Sequence, residues 1–268
     1  MSGFRAPLPV RAYDLLRRVH RRLGAPAPAA FTGFWLGALS HASLHALDEL
    51  MYRGPGSYRD DAHNLGGLFA WEKEALAGWF RGRERLLLVG AGGGRETVAL
   101  ARMGFGVDSY ECNPALVEYA AGLLARAGVA AEIRPIPRDR APAEGGPYDG
   151  AVVGWSAYML IAGRERRVHF LRGLRERMMD GAPLLLSFWT REESAPGPHR
   201  VARIANRVRR VLGRPPVDVG DDLVPNYLHH FTAAEVADEM RAGGFGMQRF
   251  VPYGPGGRDS GWAVGRAE

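Results

Sequence analysis

The stretch that decides the fold runs from Leu86 to Pro114 and reads LLLVGAGGGRETVALARMGFGVDSYECNP. Within it, four of the five residues from Gly90 to Gly94 are glycine, and they separate an apolar run from a segment with helical spacing. Glycine adopts backbone angles that other residues avoid, and its missing side chain lets a ligand approach the main chain. The helix that follows would present unpaired N–H groups and the positive end of its dipole. The stretch therefore predicts a strand, a ligand-binding turn and a helix.

Short β-like runs alternate with helical segments from about residue 83 onward. The runs are RLLLVG, GVDSYE, AEIRPI, YDGAVVGW and APLLLSFWT, followed near the end by QRFVPY and GWAVGR. Strands separated by helices of ten or more residues form βαβ units with parallel strands. The last two runs are joined by PYGPGGRDSG, which suits a hairpin and predicts an antiparallel pair. The sequence thus predicts an α/β fold with a doubly wound, mostly parallel seven-stranded sheet.

Helix signals mark the ends of several segments. Asn113 and Pro114 are typical of an N-cap followed by the first helical turn. Thr232 and Glu235 have the spacing of a capping box, which predicts that another helix begins there. The segment HRVARIANRVRRVLGRPP, from residue 199 to 216, has apolar residues on one helical face and arginines elsewhere, so it predicts an amphipathic helix.

Residues 1–82 are predicted to be helical. The apolar residues of DLLRRVHRRL fall at helical spacing, and further helices are expected at about residues 34–52 and 68–80. The segment GPGSYRDDAHNLGG between the last two is a loop by composition. We therefore divide the chain into a helical region, residues 1–82, and a ligand-binding region, residues 83–268.

The composition limits the classes of function. The chain has 268 residues, 46% of them hydrophobic, and a net charge of +6 that comes almost wholly from arginine, since Lys73 is the only lysine. Cys112 is the only cysteine, so an intrachain disulfide and a cysteine-rich metal site are excluded. The first residues do not resemble a signal peptide, and the apolar segment from residue 31 to 47 is too short and too polar to span a bilayer. We therefore expect a cytoplasmic protein.

The glycine cluster excludes one common nucleotide site and fits a second one poorly. A phosphate-binding P-loop ends in Gly-Lys-Ser/Thr, whereas here Arg95 and Glu96 follow the glycines. The dinucleotide fingerprint needs a glycine at its sixth position, which is Arg95 or Thr97 depending on the register. The spacing of Gly90, Gly92 and Gly94 fits a different nucleoside ligand better.

These features together resemble the class I S-adenosylmethionine-dependent methyltransferases over roughly residues 83–268. VGAGGGRE is similar to the glycine loop of that family, and YECNPALVEYA is similar to the end of its second strand, where an acidic residue precedes a helix-capping proline. YDGAVVGW resembles the fourth strand, and HFTAAEVADEMRAGGF resembles a helix near the end of the fold. The resemblance implies S-adenosyl-L-methionine as cofactor and residues 1–82 as a helical cap or lid over a methyltransferase domain, residues 83–268.

The resemblance also implies which residues bind the cofactor. Glu111, nineteen positions after Gly92, would bind the ribose hydroxyls, and Asp139, in PRDR, would lie near the adenine. The other implied cofactor-binding residues are Gly90, Ala91, Gly94, Cys112, Gly154, Trp155, Tyr158 and Asn64. One position departs from the family, which often has an acidic residue two places before the first glycine, where this chain has Leu88. Another residue, for example one from the N-terminal helices, must then bind the amino group of the cofactor.

Methyl transfer from a sulfonium is an in-line displacement, so positioning the acceptor and excluding water supply most of the acceleration. A general base is needed only if the acceptor loses a proton. The candidate catalytic residues are His229 and His230, because imidazole titrates near neutrality, and Tyr58. Tyr58 and Asn64 lie in the loop that we expect to close the pocket, and the helix at residues 199–216 stands where the family often places elements that cover the substrate.

Three alternatives stay open. The first is an NAD(P)-dependent oxidoreductase, the second is a non-catalytic nucleoside-binding module that acts through a partner, and the third is a basic RNA-binding protein. The family's nucleic-acid modifiers often have an aromatic-proline tetrapeptide after the fourth strand, where this chain reads GWSA. We therefore expect a small-molecule acceptor, and neither a nucleic acid nor a membrane as partner. A metal site is not expected, because the histidines lack a further ligand at suitable spacing.

Overall fold

A computed structural model describes residues 4–22, 29–54, 56–252, 254 and 260–268 of the chain. The α-helices in these residues are α1 (Leu8–Arg22), α2 (Ala29–Ala38), α3 (His41–Arg53), α4 (Asp61–Leu65), α5 (Ala70–Trp79), α6 (Arg95–Arg102), α7 (Pro114–Ala127), α8 (Arg164–Arg175), α9 (Pro196–Val211) and α10 (Ala233–Ala242). The β-strands are β1 (Arg85–Val89), β2 (Gly106–Glu111), β3 (Ile133–Pro135), β4 (Gly150–Val153), β5 (Pro183–Thr190), β6 (Asp221–Leu223), β7 (Tyr227–Phe231), β8 (Phe245–Val251) and β9 (Gly261–Ala267). Short 3-10 turns cover Ser57–Arg59 and Tyr158–Leu160.

The chain divides into two compact units. The first contains Met1–Gly54 and Arg191–His230, and the second contains Pro55–Thr190 and Phe231–Glu268. The division at Gly54 does not coincide with the expected boundary at residue 82, because α4 and α5 group with the glycine-rich turn. The segment that contains α9 groups instead with the N-terminal helices. The role of residues 1–82 as a cap stays a prediction.

In the first unit, α2 and α9 are in close contact. A side chain at Gly37 would place its Cβ 2.6 Å from Cβ of Val208, so the two helix backbones approach because glycine stands at this position. Arg209, also on α9, is buried and donates hydrogen bonds to the carbonyl oxygens of Leu36 and Leu39. These carbonyls lie at the C-terminal end of α2, where they lack helical partners, so the guanidinium satisfies them.

The connection between β6 and β7 is bound to the N-terminal helices of the same unit. Tyr13 of α1 is buried and donates a hydrogen bond of 2.7 Å to the carbonyl oxygen of Pro225. Asn226 donates a hydrogen bond of 2.6 Å from its Nδ2 to Oδ1 of Asp48, on α3. Because both partners are remote in sequence, these bonds explain why residues 191–230 belong with the first 54 residues.

The segment predicted as one helix over residues 34–52 forms two helices. The side chain of Ser40 accepts a hydrogen bond of 3.1 Å from the N–H of Ser43, so Ser40 is the N-cap of α3 and separates it from α2. Serine is a favoured N-cap residue because its oxygen satisfies a backbone donor at the helix start. The single-helix prediction was therefore wrong at this position.

The helix predicted from DLLRRVHRRL is present as α1, but its apolar stripe is not buried. Leu15 and Val19 are 63% and 46% exposed, whereas Val10 and Tyr13 are buried. The spacing of the apolar residues predicted the helix correctly, but it did not show which face of the helix is buried. Leu23, the last residue of the predicted stripe, lies outside the described residues.

Seven strands of the second unit belong to one sheet and follow one another in the order β3-β2-β1-β4-β5-β9-β8. The strands from β3 to β5 in this order are parallel, and β9 is antiparallel to both β5 and β8. This arrangement confirms the predicted α/β fold with a mostly parallel sheet and an antiparallel closing pair. Of the connection predicted between the last two strands, residues 253 and 255–259 lie outside the described residues.

The predicted helix starts are confirmed in the second unit. The Asn113 side chain accepts a hydrogen bond from the N–H of Ala115 at the start of α7. Thr232 and Glu235 form the reciprocal bonds of a capping box at the start of α10. Apolar side chains of β1, α5, α6 and α7 form one buried cluster. The glycine-rich turn is therefore anchored at both ends by buried elements, β1 before it and α6 after it.

A buried ion pair joins α8 and α10. Arg167 donates from Nη2 and Nε to the carboxylate of Glu239, at 2.7 and 2.9 Å, and both side chains are 2% exposed. Tyr158 donates a hydrogen bond of 2.6 Å to the same carboxylate, and its ring stacks on Phe231. Burial, reinforced by the negative charge of Glu239, raises the pKa of Tyr158 well above its usual range. This network holds the turn after β4 against two helices.

We expect Glu239→Gln to lower the free energy of unfolding by about 3–5 kcal/mol, because it leaves the Arg167 charge buried without a counter-charge. Asp238→Asn is the matched control, since Asp238 lies on the same helix and forms an ion pair with Arg164 whose side chains are about half exposed. We expect that control to change stability by about 1 kcal/mol or less. Urea denaturation of both variants measures the difference, and equal effects would contradict this interpretation.

In the described part of the chain, no helix has the length and apolarity needed to cross a membrane.

Candidate functional site

Most of the predicted cofactor-binding residues lie at or soon after the carboxyl ends of β1, β2 and β4. The glycine-rich turn follows β1, Glu111 ends β2, and Gly154 follows β4. The strand order reverses between β1 and β4, because β2 and β3 lie on one side of β1 and β4 and β5 lie on the other. In open parallel sheets, ligands bind at the carboxyl ends of the strands at such a reversal. The candidate site is therefore at this edge of the second unit.

Two glycines let the chain cross closely between β1 and β4. Gly90 has a φ angle of +79°, and a Cβ there would lie 2.6 Å from Cβ of Ala157. A Cβ at Gly154 would collide with the carbonyl oxygen of Gly90. Ser156, immediately beyond, has a φ angle of +59°, a strained value for serine, and its N–H donates to Oγ of Ser187. The backbone at this crossing is thus held in conformations that larger side chains would not permit.

Glu111 is connected directly to the glycine-rich turn. Its side chain is buried and accepts a hydrogen bond of 2.8 Å from the N–H of Gly92 and one of 2.7 Å from the N–H of Asn113. The N–H groups of Gly90 and Ala91 donate to the carbonyl oxygen of Tyr110, one residue earlier. The end of β2 therefore fixes the conformation of the turn and places a carboxylate beside it.

The predicted loop that contains Tyr58 and Asn64, here called the Tyr58–Asn64 loop, consists of a 3-10 turn and part of α4 and lies on the glycine-rich turn. A Cβ at Gly93 would collide with the carbonyl oxygen of Tyr58 and would lie 2.7 Å from Oδ1 of Asn64. Asn64 is fully buried, and its Nδ2 donates to the carbonyl oxygens of Tyr58 and Asp60. At Gly93 the missing side chain therefore accommodates the protein's own backbone. Asn64 supports the loop, and its contact with a cofactor stays a prediction.

Aromatic side chains gather around Trp155 at the same edge. The ring centroid of Trp155 lies 5.0 Å from that of Phe69 and 6.0 Å from that of Tyr58, and His63 is 6.2 Å away. Burial lowers the pKa of His63 below its usual range, and the charge of Arg95 lowers it further. The His63 ring is therefore mainly neutral at pH 7 and adds to the group of aromatic rings beside the turn.

Sequence reasoning missed a buried charge network beside the turn. Arg95 donates two hydrogen bonds to Glu72, at 2.6 and 2.7 Å, and one of 2.7 Å to Oε1 of Glu96. The same Oε1 accepts a hydrogen bond of 2.9 Å from the N–H of Trp155, and the guanidinium lies 3.9 Å from the Phe69 ring centroid. The network thus joins α5, the start of α6 and the end of β4.

The pKa values of this network follow from burial and charge pairing. Burial raises the pKa of Glu72, although the bonds from Arg95 oppose that shift. For Arg95, burial disfavours the charged form, but the bonds to Glu72 and the charge of Glu96 outweigh it and raise the pKa. In the sequence, Arg95 and Glu96 exclude a P-loop, and Arg95 also stands where the dinucleotide fingerprint needs a glycine. A glutamate 23 positions away gives no local signal, so the partner could not be identified.

The remaining predicted cofactor residues lie in the second unit. Cys112 follows Glu111 and is partly buried, and Asp139 follows β3 with a φ angle of +59°. Tyr158 is fully buried, and its hydroxyl donates a hydrogen bond to Glu239. Gly94 is the N-cap of α6 and has a φ angle of +102°. Direct contact of these residues with a cofactor stays a prediction.

The two candidate catalytic histidines belong to the first unit. His229 lies on β7 opposite Asp221 of β6, is buried, and donates a hydrogen bond of 2.6 Å from Nδ1 to Oδ1 of Asp221. Oδ1 of Asp221 also accepts a hydrogen bond from the hydroxyl of Tyr227. His230 is partly exposed, with Nε2 3.6 Å from Oδ2 of Asp222. Their catalytic role stays a prediction, as does that of Tyr58.

Comparison with known proteins gives matches at the level of structure. No family model and no curated protein sequence matches the chain. A structure described as a S-adenosylmethionine-dependent methyltransferase from Methanosarcina mazei is 16% identical, with a TM-score of 0.59, and the match covers 75% of this chain and 98% of the other. An amino pentose methyltransferase of calicheamicin biosynthesis from Micromonospora echinaspora, solved with S-adenosylmethionine bound, is 15% identical, with a TM-score of 0.53 and coverages of 82% and 94%.

A third similar structure has a different activity. The cyclase SpnF is 15% identical, with a TM-score of 0.54, and the match covers 74% of this chain and 79% of that one. At such identities the likeness defines the fold, which is the Rossmann-like fold of the class I S-adenosylmethionine-dependent methyltransferases. The fold expected from the sequence is confirmed, and the activity has to be argued from the site.

We expect Gly93→Ala to lower the free energy of unfolding by about 1–3 kcal/mol, because its Cβ would displace the Tyr58–Asn64 loop. Gly78→Ala is the control, since a Cβ at this exposed helical position meets no other atom within 4 Å. We expect the control to be neutral or to stabilise by up to about 1 kcal/mol. Urea denaturation of the two variants distinguishes them, and a neutral Gly93→Ala would show that the loop does not rest on the turn.

Proposed function

We propose that this protein transfers the methyl group of S-adenosylmethionine to a small-molecule acceptor. The observation that carries the proposal is the buried carboxylate of Glu111, which ends β2 and binds the N–H of Gly92 in the turn after β1. A carboxylate beside a glycine-rich turn at the reversal of a parallel sheet forms a site for a nucleoside with a ribose diol. The fold shared with solved methyltransferases supports the same interpretation.

The residues at the site fit an adenosyl ligand. An ionised carboxylate accepts hydrogen bonds at about four positions, so such a group can bind backbone N–H groups, as Glu111 binds those of Gly92 and Asn113, and ligand hydroxyls together. Hydroxyl donors to a charged acceptor form short, strong hydrogen bonds, which suits the two ribose hydroxyls. Asp139, after the neighbouring strand β3, is the residue that we propose to lie near the adenine.

The protein's contribution to the reaction is mainly positional. When bound, S-adenosylmethionine supplies an electrophilic methyl carbon, and the sulfur leaves with the electron pair of the broken carbon–sulfur bond. Glu111 and the turn would fix the ribose, and hence the direction from which an acceptor must approach. The rings of Tyr58, Phe69 and Trp155 would exclude water from that approach.

An acceptor that carries a proton also needs a base. The candidates predicted from the sequence for this role are His229, His230 and Tyr58, and Nδ1 of His229 lies 2.6 Å from Oδ1 of Asp221. We propose to test all three by substitution once an acceptor is known.

The alternative of an NAD(P)-dependent oxidoreductase fits less well. The dinucleotide-binding fold has the strand order 3-2-1-4-5-6, with parallel strands, whereas here the antiparallel strand β9 lies between β5 and β8. The sixth glycine of the fingerprint is also absent, since Arg95 or Thr97 stands there. A nucleoside-binding protein that performs another reaction stays the second candidate, because a cyclase has the same fold.

Isothermal titration calorimetry with S-adenosylmethionine, S-adenosylhomocysteine and NADH tests the cofactor directly. We expect both adenosyl compounds to bind and NADH not to bind. Formation of S-adenosylhomocysteine with a panel of acceptors then tests methyl transfer, beginning with amino sugars because one similar structure is an amino pentose methyltransferase. Binding without turnover on any acceptor would favour the second candidate, and the absence of binding would overturn the proposal.

We expect Glu111→Gln to weaken S-adenosylhomocysteine binding by about 10- to 100-fold, the loss that corresponds to a hydrogen bond with a charged partner. Asp108→Asn is the control, because Asp108 lies near the other end of the same strand and binds Arg85 and Arg134 at the surface. We expect the control to bind as the wild type does. Calorimetry on both variants measures the ratio, and equal affinities would exclude Glu111 from the site.

A further inference from the structure

The network around Arg95 contains more negative than positive charge. Two carboxylates, Glu72 and Glu96, share the single guanidinium of Arg95, and the three side chains are between 3% and 7% exposed. The neighbouring His63 has a lowered pKa and adds little positive charge at pH 7. Burying an excess charge is costly unless a counter-charge is supplied. The imbalance therefore favours a ligand that brings a cation.

Of the two carboxylates, Glu96 is the one with an oxygen that could bind a cationic ligand. Both oxygens of Glu72 bind Arg95, whereas for Glu96 only Oε1 receives hydrogen bonds, from Arg95 and from the N–H of Trp155. Oε2 of Glu96 accepts no hydrogen bond from the described part of the chain. Fully buried polar atoms without a partner do occur in these residues, but Oε2 is not one of them, so it retains some exposure. This oxygen is thus accessible to a ligand on a side chain that is otherwise buried.

Glu96 also stands at the point where the strand order reverses. It is the second residue of α6, directly after the glycine-rich turn of β1, and its Oε1 binds the N–H of Trp155 beyond the end of β4. Glu111 lies on the other side of the turn, at the end of β2. A ligand whose ribose is bound by Glu111 and that extends along the turn toward β4 would bring its far end to Glu96.

In S-adenosylmethionine the end remote from the nucleoside is an amino acid, whose α-ammonium is a cation with three hydrogen-bond donors. We propose that Glu96 binds this α-ammonium. The inference rests on the proposed function, and it assigns the amino-group contact that Leu88 does not provide. Leu88 is fully buried in the apolar cluster of the second unit, so a carboxylate there would be costly.

The experiment compares S-adenosylhomocysteine with its deamino analogue, in which hydrogen replaces the amino group. Neither compound has a sulfonium, so a difference in their affinities reports on the α-ammonium alone. We expect the wild type to prefer S-adenosylhomocysteine by about tenfold or more in calorimetry, as a charge-assisted hydrogen bond predicts. We expect Glu96→Gln to reduce that ratio to near one, mainly by weakening the binding of S-adenosylhomocysteine.

Glu72→Gln is the matched control, since it removes the same charge from the same network without touching Oε2 of Glu96. We expect it to keep the wild-type preference, even if it lowers both affinities. If Glu96→Gln does not fold, Glu96→Asp takes its place and is expected to lower the ratio severalfold.

A wild-type ratio near one, or an unchanged ratio in the Glu96 variant, would overturn this assignment while the proposed function stands. Failure of the wild type to bind either compound would overturn both.

Discussion

The guanidinium of Arg95, enclosed between the carboxylates of Glu72 and Glu96, is the interaction on which the arrangement of the site depends. It connects α5 to the first turn of α6, and through Glu96 it connects both to the backbone beyond β4. A buried pair of this kind contributes little net stability, but removing one partner is costly because it leaves a charge without compensation. The network therefore holds the edges of the site in one geometry rather than making the protein more stable.

The glycines of the turn serve two different purposes. Gly90 and Gly93 are required by the protein's own packing, because side chains there would meet Ala157 and the Tyr58–Asn64 loop. Gly92 instead donates its N–H to Glu111, which brings main chain and carboxylate together. A glycine cluster in a sequence is thus not by itself a measure of ligand contact, and at this site the carboxylate of Glu111 is the more specific sign of a ligand.

Features with a local cause could be predicted from the sequence. The strand–turn–helix around the glycines, the N-cap at Asn113, the capping box at Thr232 and the acidic end of β2 are each determined by residues within a few positions of one another. The apolar runs likewise predicted the parallel sheet and its closing pair, because strand burial is visible in composition.

Features with distant causes could not be predicted. Glu72 binds Arg95 across 23 positions, and Tyr158 is bonded to Glu239 across 81 positions, so its burial has no signal in the neighbouring sequence. The grouping of residues 191–230 with the first 54 residues depends on contacts such as that of Arg209 with the end of α2. A helical periodicity shows that a helix forms, but the partner that covers it is decided elsewhere in the chain.

A crystal structure with S-adenosylhomocysteine is the most direct test of the claim that the turn and Glu111 form a nucleoside site. We expect the ribose hydroxyls within hydrogen-bond distance of the Glu111 carboxylate, with the nucleoside lying along Gly90–Gly94. A nucleoside bound away from both the turn and Glu111 would contradict the claim.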